Sequence, residues 1–168
     1  MGGLFLGMEP VRSVIVGLDI STRLIAMVTI SSKDGSIVRF DEYAIPDLKH
    51  LDLNKAERCR AVADTGFQTE MSGVVAAYVE QPMGRQVKGV AEVERVVGAV
   101  IAAIPRETCI SLISPSEWKK IVGLRGNAQK DDIREFADAV YPVLQNSSQD
   151  LHDAAMIARA CYIEGMSQ

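Results

Sequence analysis

The 168-residue sequence predicts an α/β fold, in which a mixed five-stranded sheet is flanked by helices. Three short apolar runs follow one another at the start of the chain with brief connections, which is typical of an antiparallel meander. Two further apolar runs then alternate with helical patterns, which is typical of strands joined through helices. Because 48% of the residues are hydrophobic, the chain can bury a sizeable core.

The strands are predicted from short apolar or alternating runs rich in β-branched residues. An Asp34-Gly35 pair separates the second run from the third and indicates a tight turn. The fourth run, GVVAAYV, ends directly before Glu80. The predicted strands are residues 11–17, 24–31, 37–45, 73–79 and 109–113.

The helices are predicted from apolar residues that recur every three or four positions. The segment SPSE at residues 114–117 has a capping serine, an early proline and a first-turn acid, which favours a helix start. The last helix follows a polar loop at residues 146–149. Residues 55–72, 87–104 and 130–141 complete the predicted helices, and the stripe of 87–104 is Val90, Val93, Val97, Val100, Ile101 and Ile104.

Length and composition predict one domain over residues 11–168, preceded by a flexible leader at residues 1–10. No apolar run has the length needed to span a bilayer. The three cysteines lack the spacing of a zinc site, and we expect them to be buried reduced thiols in a cytoplasmic protein. Net charge is −4, yet residues 84–134 carry 9 basic and 6 acidic groups, a strip that could bind a phosphate backbone.

Four carboxylates lie at the ends of predicted buried elements: Asp19, Glu80, Asp150 and Asp153. The last two are three residues apart, so they project from one face of the final helix. Each acid alone has an ordinary explanation, as a cap, a first-turn acid or a solvated strand end. Gathered together, they would repel one another unless cations neutralised them. Their placement therefore predicts a site for two hard divalent cations, which could activate water against a phosphodiester.

Four segments of the sequence resemble the RuvC-type Holliday junction resolvases, which have the RNase H-like fold: IVGLDISTRLIAMVTI, AAYVEQPMG, LRGNAQKDDIREFADAVYP and QDLHDAAMIARACY. The family pattern is a Gly-x-Asp turn after the first strand, a Glu ending the fourth strand, and a D-x-x-D pair opening the last helix. Asp19, Glu80, Asp150 and Asp153 match it in order. The resemblance covers residues 11–162, and it departs from cellular resolvases after Glu80 and over residues 41–59, which would suit a virus-encoded relative.

This resemblance implies that the four acids hold two Mg²⁺ ions, for which Mn²⁺ could substitute, and that cleavage leaves a 5′-phosphate and a 3′-hydroxyl. It further implies that Lys130 contacts the scissile phosphate or stabilises charge nearby, although a surface lysine at a helix start is an equal explanation. Arg95 in the basic strip is better explained as solvated charge. The strip's candidate DNA-binding residues are Arg85, Lys88, Lys119, Lys120 and Arg125.

The implied partner is branched DNA, above all a four-way junction, in the cytoplasm of a bacterial cell or of a virus-infected host. Symmetric cutting of a junction needs two active sites, which a C2 homodimer would supply. The helix at residues 87–104 has more apolar surface than one sheet face needs. We therefore expect Val90, Val97 and Ile101 to pack against a second copy.

Three other functions remain open at this point. A phosphate-binding ATPase of the sugar-kinase or actin type also has an Asp in its first hairpin, but it needs a second lobe and has no use for the D-x-x-D pair. A non-catalytic RNase H-like binding module is disfavoured, because like charges gathered without metals are costly. A broader branched-DNA nuclease that acts on flaps or forks is compatible with all the residues.

Overall fold

A computed structural model describes residues 13–46, 55–83 and 87–166 of the protein. The chain forms one five-stranded sheet in the spatial order β3-β2-β1-β4-β5. The pairs β1–β2 and β2–β3 are antiparallel, whereas β1–β4 and β4–β5 are parallel, so the predicted mixed sheet is confirmed. The strands are β1 (Val14–Ile20), β2 (Leu24–Ser31), β3 (Ile37–Ala44), β4 (Val74–Glu80) and β5 (Cys109–Ile113).

Helices cover both faces of this sheet, and each face has its own apolar core. Buried side chains of β1 and β2 alternate between the two cores, as the two-residue period of a strand requires. One core packs against the first two helices and the other against the last three. The helices are α1 (Lys55–Asp64), α2 (Val87–Ala103), α3 (Pro115–Ile121), α4 (Lys130–Val140) and α5 (Gln149–Met166).

The largest difference from the sequence prediction lies in residues 55–72, which were expected to form one helix. The helix ends at Asp64 because Gly66 adopts a left-handed backbone conformation, with φ of 78°. A 3-10 helix, Phe67–Met71, then turns the chain and buries Phe67 and Met71 against the sheet. Apolar spacing alone could not reveal this break, because the apolar side chains on both sides of it enter the same core.

The first strand also differs from its predicted bounds of 11–17. It begins at Val14, while residues 11 and 12 and the predicted leader lie outside the described residues, and it continues to Ile20. Asp19 is therefore part of the strand and does not follow it. The other bounds shift by one or two residues, so that α2 ends at Ala103, α4 ends at Val140 and α5 already includes Gln149.

Two composition-based predictions have different outcomes. Cys161 is buried and Cys59 is partly buried, but Cys109 is exposed on the edge strand β5, so the prediction that all three are buried is wrong. All three are free thiols. In the described part of the chain, no helix combines the length and apolarity needed to cross a membrane.

The sheet and the last helix approach each other very closely at Gly17 in β1. A Cβ atom at this position would lie 2.1 Å from the carbonyl oxygen of Ala154 and 2.3 Å from the backbone nitrogen of Ala158, both in α5. Ala154 and Ala158 are themselves fully buried. Only glycine therefore allows the backbone of α5 to rest directly on the central strand.

Gly17→Ala should destabilise the protein severely, because the clash involves backbone atoms that cannot rotate away. We expect a cost of at least about 3 kcal/mol, the upper end for a single added methylene in a packed core. For a chain of this size, that corresponds to a melting temperature lowered by roughly 6–12 °C in thermal denaturation followed by circular dichroism.

Gly98→Ala in α2 is the matched control, because a Cβ atom added there would meet nothing within 4 Å and the residue is exposed. Alanine is favoured over glycine inside a helix by about 1 kcal/mol, so this variant should melt at the wild-type temperature or slightly above it. Equal melting temperatures for the two variants would contradict the close contact.

Candidate active site

Asp19 and Glu80 are brought together by strand register. The parallel pairing aligns Leu18 of β1 with Val79 of β4, so the next residues along both strands are neighbours at the carboxyl ends of the strands. Leu18 and Val79 are fully buried in the core against α1 and α2. Strand alternation therefore directs Asp19 and Glu80 to the opposite face of the sheet, toward α3 and α5.

Asp150 and Asp153 reach the same place from the first turns of α5. The contact at Gly17 fixes Ala154 and Ala158 against β1. Asp150 precedes Ala154 by four residues, about one helical turn, and therefore lies on the same face of the helix. The structure thus brings together the four acids that the sequence singled out, from positions up to 134 residues apart in the chain.

The four carboxylates interact electrostatically in a half-buried setting. Burial, followed by the charges of Glu80, Asp153 and Asp150, raises the pKa of Asp19 from 3.8 to about 8, while the charge of Lys130 opposes this rise. Burial also raises the pKa of Asp153, and Asp150 adds to that rise. The pKa of Glu80 is likewise raised, by burial and by Asp153. The free site therefore disfavours full ionisation.

Two neutral side chains hold two of these carboxylates in place. The indole Nε1–H of Trp118 in α3 donates to Oε2 of Glu80 at 2.6 Å. The amide Nε2–H of Gln149 donates to Oδ1 of Asp153 at 3.0 Å, one helical turn earlier in α5. Sequence reasoning missed both residues, because neither contact follows from a motif and the first joins positions 38 residues apart. The one hint was that Trp118 is the only tryptophan of the chain.

Two lysines supply positive charge beside the acids. The ammonium group of Lys119 donates to the backbone oxygen of Ala128 at 3.0 Å. Its positive charge lowers the pKa of both Glu80 and Asp153, against the effect of burial. Lys130 begins α4, as predicted, and its exposed ammonium group also lowers the pKa of Asp153. Both lysines line a cleft of about 320 Å³ together with Glu80, Asp153 and Trp118.

His152 lies between the two acids of α5 in sequence but points away from the site. Its side chain is fully buried, with Nδ1 2.7 Å from the backbone oxygen of Ser148 and Nε2 2.9 Å from Oδ1 of Asp138. This histidine joins α5 to α4. The expectation that it is secondary to the two acids agrees with this geometry.

The other predicted DNA-binding residues are placed as follows. Lys120 and Arg125 are exposed near the turn between α3 and α4, and Arg95 is exposed on α2. Arg85 lies outside the described residues, as does the side chain of Lys88 in α2. Among the described residues of the strip, Lys119 and Lys130 are the ones whose charges act on the acids.

The acids present only carboxylate oxygens, which are the ligands that Mg²⁺ and Mn²⁺ use in proteins. Within the three described segments, no three His, Cys, Asp or Glu side chains lie close enough together to enclose a metal ion as they stand. Trp118 and Gln149 each engage one oxygen of a carboxylate and leave the second oxygen of that carboxylate available. The donor type and the excess of negative charge fit a hard cation, and the side chains would have to converge on it.

The helix predicted to mediate dimerisation, α2, buries more of its apolar side chains against the sheet than expected. Val97 is only 5% exposed, packed with Val96, Val100 and Ile104 against the sheet, so its predicted role in packing against a second copy is wrong. Val90 and Ile101 remain partly exposed.

Comparison with solved structures identifies the fold. The RuvC structure of Thermus thermophilus is 16% identical with a TM-score of 0.71, covering 92% of this chain and 96% of that one. RuvC of the same organism in complex with a Holliday junction substrate is 17% identical with a TM-score of 0.72, at the same coverage. The Fowlpox virus resolvase in its complex with Holliday junction DNA is 10% identical with a TM-score of 0.54, covering 92% of this chain and 99% of that one.

No protein-family model matches the sequence, and no curated protein sequence matches it. Structural likeness at such low identity establishes the fold, which is that of RuvC within the RNase H-like class. The resemblance inferred from the sequence is confirmed at this level.

The raised pKa of Asp19 leads to a prediction about pH and stability. The folded protein holds this proton up to about pH 8, whereas the unfolded chain releases it near pH 3.8. Folding is therefore favoured by the protonated carboxyl at low pH, and this contribution is lost as pH rises toward 8. Asp19→Asn should raise the melting temperature in EDTA by several degrees at pH 8–9 and by little at pH 4.

Asp64→Asn is the control, because Asp64 is an exposed acid at the end of α1. Its melting temperature relative to wild type should not depend on pH in this way. A difference between Asp19→Asn and wild type that stayed constant from pH 4 to pH 9 would contradict the electrostatic description of the site.

Proposed function

We propose that the protein is a metal-dependent endonuclease that resolves four-way DNA junctions. The observation that carries this proposal is the convergence of Asp19, Glu80, Asp150 and Asp153 at one edge of a RuvC-like sheet, where burial and neighbouring charge raise the pKa values of Asp19, Glu80 and Asp153. A purely structural role would not favour four mutually repelling carboxylates in a half-buried cluster. Two of the structures with this fold are resolvases in complex with Holliday junction DNA.

Two Mg²⁺ ions are the proposed cofactors, with Mn²⁺ as a substitute, and the four acids would hold them. Bound in a pair, such ions supply an activated water and neutralise the leaving oxygen of a phosphodiester. Asp19 is central to this assignment, because the charges of all three other acids raise its pKa. The hydrogen bond from Gln149 engages Oδ1 of Asp153 and leaves Oδ2 of the same carboxylate to bind an ion.

The lysines beside the acids are assigned to the substrate. Lys119 and Lys130 line the cleft next to Glu80 and Asp153, where their ammonium groups can face a phosphate. Lys130 is exposed, so it can reach a phosphate without desolvating a buried charge. The two lysines would orient the scissile phosphate and offset the negative charge that grows on it during cleavage.

The basic residues farther from the acids are assigned to the DNA backbone. Lys120 and Arg125 are exposed beside the cleft, and Arg85 and Lys88 follow Glu80 in the sequence. Phosphate contacts of this kind position DNA without reading its sequence, and they make binding depend strongly on salt. Aromatic residues make up 5% of the chain, so recognition by base stacking has few groups available.

A C2 homodimer remains the proposed assembly, because a junction needs two symmetric cuts. The partly exposed Val90 and Ile101 of α2 are the candidates for this contact. Sedimentation velocity at micromolar concentration should show a dimer, and Ile101→Glu should convert it to monomer. A wild-type protein that sediments only as a monomer, with or without junction DNA, would exclude this assembly.

A cytoplasmic location is also proposed, because free thiols are typical of proteins in that reducing compartment.

Cleavage of a labelled four-way junction tests the proposed activity. With magnesium, the wild-type protein should make paired, symmetric nicks that leave 5′-phosphates, and linear duplex should stay intact. Asp19→Asn, Asp150→Asn and Asp153→Asn should abolish cleavage while junction binding in a gel-shift assay persists. The exposed Asp64→Asn should cut at the wild-type rate.

The other outcomes identify the alternatives. Equal cutting of flaps and replication forks would identify a broader branched-DNA nuclease. Tight junction binding without cleavage in any divalent metal would identify a non-catalytic binding module. Full-rate cleavage by the Asp150→Asn and Asp153→Asn variants would exclude the assigned metal site.

Magnesium should also stabilise the protein in the absence of DNA. A cation at ten times its dissociation constant stabilises the folded state by about 1.4 kcal/mol, which raises the melting temperature of a chain this size by several degrees. Thermal denaturation at pH 8 with increasing MgCl₂ measures this rise. The rise should be absent in Asp19→Asn and retained in Asp64→Asn, and an equal rise in both would mean that magnesium binds elsewhere.

A further inference from the structure

We propose that Trp118 is a positioning residue for Glu80: its indole N–H holds one carboxylate oxygen so that the other faces the cation. This inference rests on the proposed function and extends it to a residue outside the acid and lysine set. It has a second consequence. Because Trp118 is the only tryptophan, its indole N–H is a single reporter of what happens at the carboxylates.

The geometry of the contact supports this role. The distance of 2.6 Å between Nε1 of Trp118 and Oε2 of Glu80 is short for an N–H donor, as expected when the acceptor is charged. A carboxylate that rotates freely offers a cation many orientations. Engaging one oxygen removes that freedom and leaves Oε1 available for binding. Among the described side chains, Trp118 is the one that donates to Glu80.

The indole ring is itself held rigidly. Trp118 is 1% exposed and packs in the core beneath α3 and α5. The start of α3 is fixed by a capping box between Ser114 and Glu117, and the backbone N–H of Trp118 donates to the oxygen of Ser114. The ring is therefore fixed in position, and the orientation of the Glu80 carboxylate is set by the ring.

The next residue ties this arrangement to the rest of the site. The ammonium group of Lys119 lies 5.5 Å from the centre of the Trp118 ring, within the range of a cation–π contact. It also donates to the oxygen of Ala128, two residues before Lys130. Through consecutive residues, α3 thus contacts an acid of β4 and the segment that leads into α4.

A buried indole N–H needs an acceptor, and the acceptor that Trp118 uses is a carboxylate of the proposed metal site. Phenylalanine would occupy most of the same space without the donor. Substituting a residue that orients a metal ligand in this way typically weakens metal binding by 10–100-fold. Loss of the donor should therefore be felt in the binding of magnesium more than in the stability of the fold.

The first measurement uses the indole N–H resonance of the ¹⁵N-labelled protein. In the wild type, one indole resonance should appear at a position typical of a strong hydrogen bond, and it should shift as MgCl₂ is added. Glu80→Ala should move it toward the position of a free indole and abolish the response to magnesium. Asp64→Ala, far from the cleft in sequence and exposed, should leave both unchanged.

The second measurement is calorimetric titration of magnesium into Trp118→Phe. We expect the dissociation constant for magnesium to rise by about 10–100-fold. Trp118→His, which retains a ring N–H, should recover part of the affinity. Leu144→Ala is the control for destabilisation alone, because Leu144 is fully buried in the same core, and its magnesium affinity should equal that of the wild type.

The outcomes separate the two proposals. If Trp118→Phe binds magnesium as tightly as the wild type while Glu80→Ala does not bind it, the role of Trp118 is wrong and the metal site stands. If the wild type itself binds no magnesium, both proposals are overturned. If Trp118→Phe fails to fold, the indole resonance decides, and an indole that is unaffected by Glu80→Ala would overturn the inference.

Discussion

The direct contact between Gly17 and the backbone of α5 is the constraint on which the arrangement of the molecule depends. It sets the separation between the central strand and the helix that covers it, and the fully buried alanines of α5 fit that separation. Asp19 lies two residues further along the strand, and Asp150 lies one turn earlier in the helix. Because α5 runs antiparallel to β1, Asp19 and Asp150 lie at the same edge of the sheet. The acids meet because the two backbones touch.

The resulting site combines carboxylates that repel one another with neighbouring groups that hold them in place. Burial and neighbouring charge oppose ionisation of Asp19, Glu80 and Asp153, while Lys119, Lys130 and two neutral donors partly offset that opposition. Such a cluster is a net cost to the free protein. Functional sites commonly keep costs of this kind, because the charged groups that destabilise a free protein are often the ones that bind its ligand.

The sequence contained most of the fold, because strand and helix periods are local properties. The five strands, the start of α4 at Lys130 and the capped start of α3 at Ser114 could all be predicted. The break at Gly66 could not, since glycine inside a helical pattern often remains helical. The four acids were identified by their positions at element ends. Trp118 was not, because its contact with Glu80 depends on how α3 packs beside β4, which no local pattern encodes. The exposure of Cys109 likewise depends on β5 being an edge strand, and the burial of Val97 depends on how α2 rotates about its axis.

The packing of α5 on β1 also has a consequence for how the protein is made. During synthesis, at about 5–20 residues per second, the ribosome reaches Ala154 only some seconds to tens of seconds after Gly17. Throughout that interval, one face of the central strand lacks the helix that covers it in the native state. Parallel pairing of β1 with β4 adds a further long-range step, and folds built on distant contacts form slowly. The nascent chain therefore lacks two of the four carboxylates until late in its synthesis, and the uncovered sheet face is where a chaperone would have most to protect.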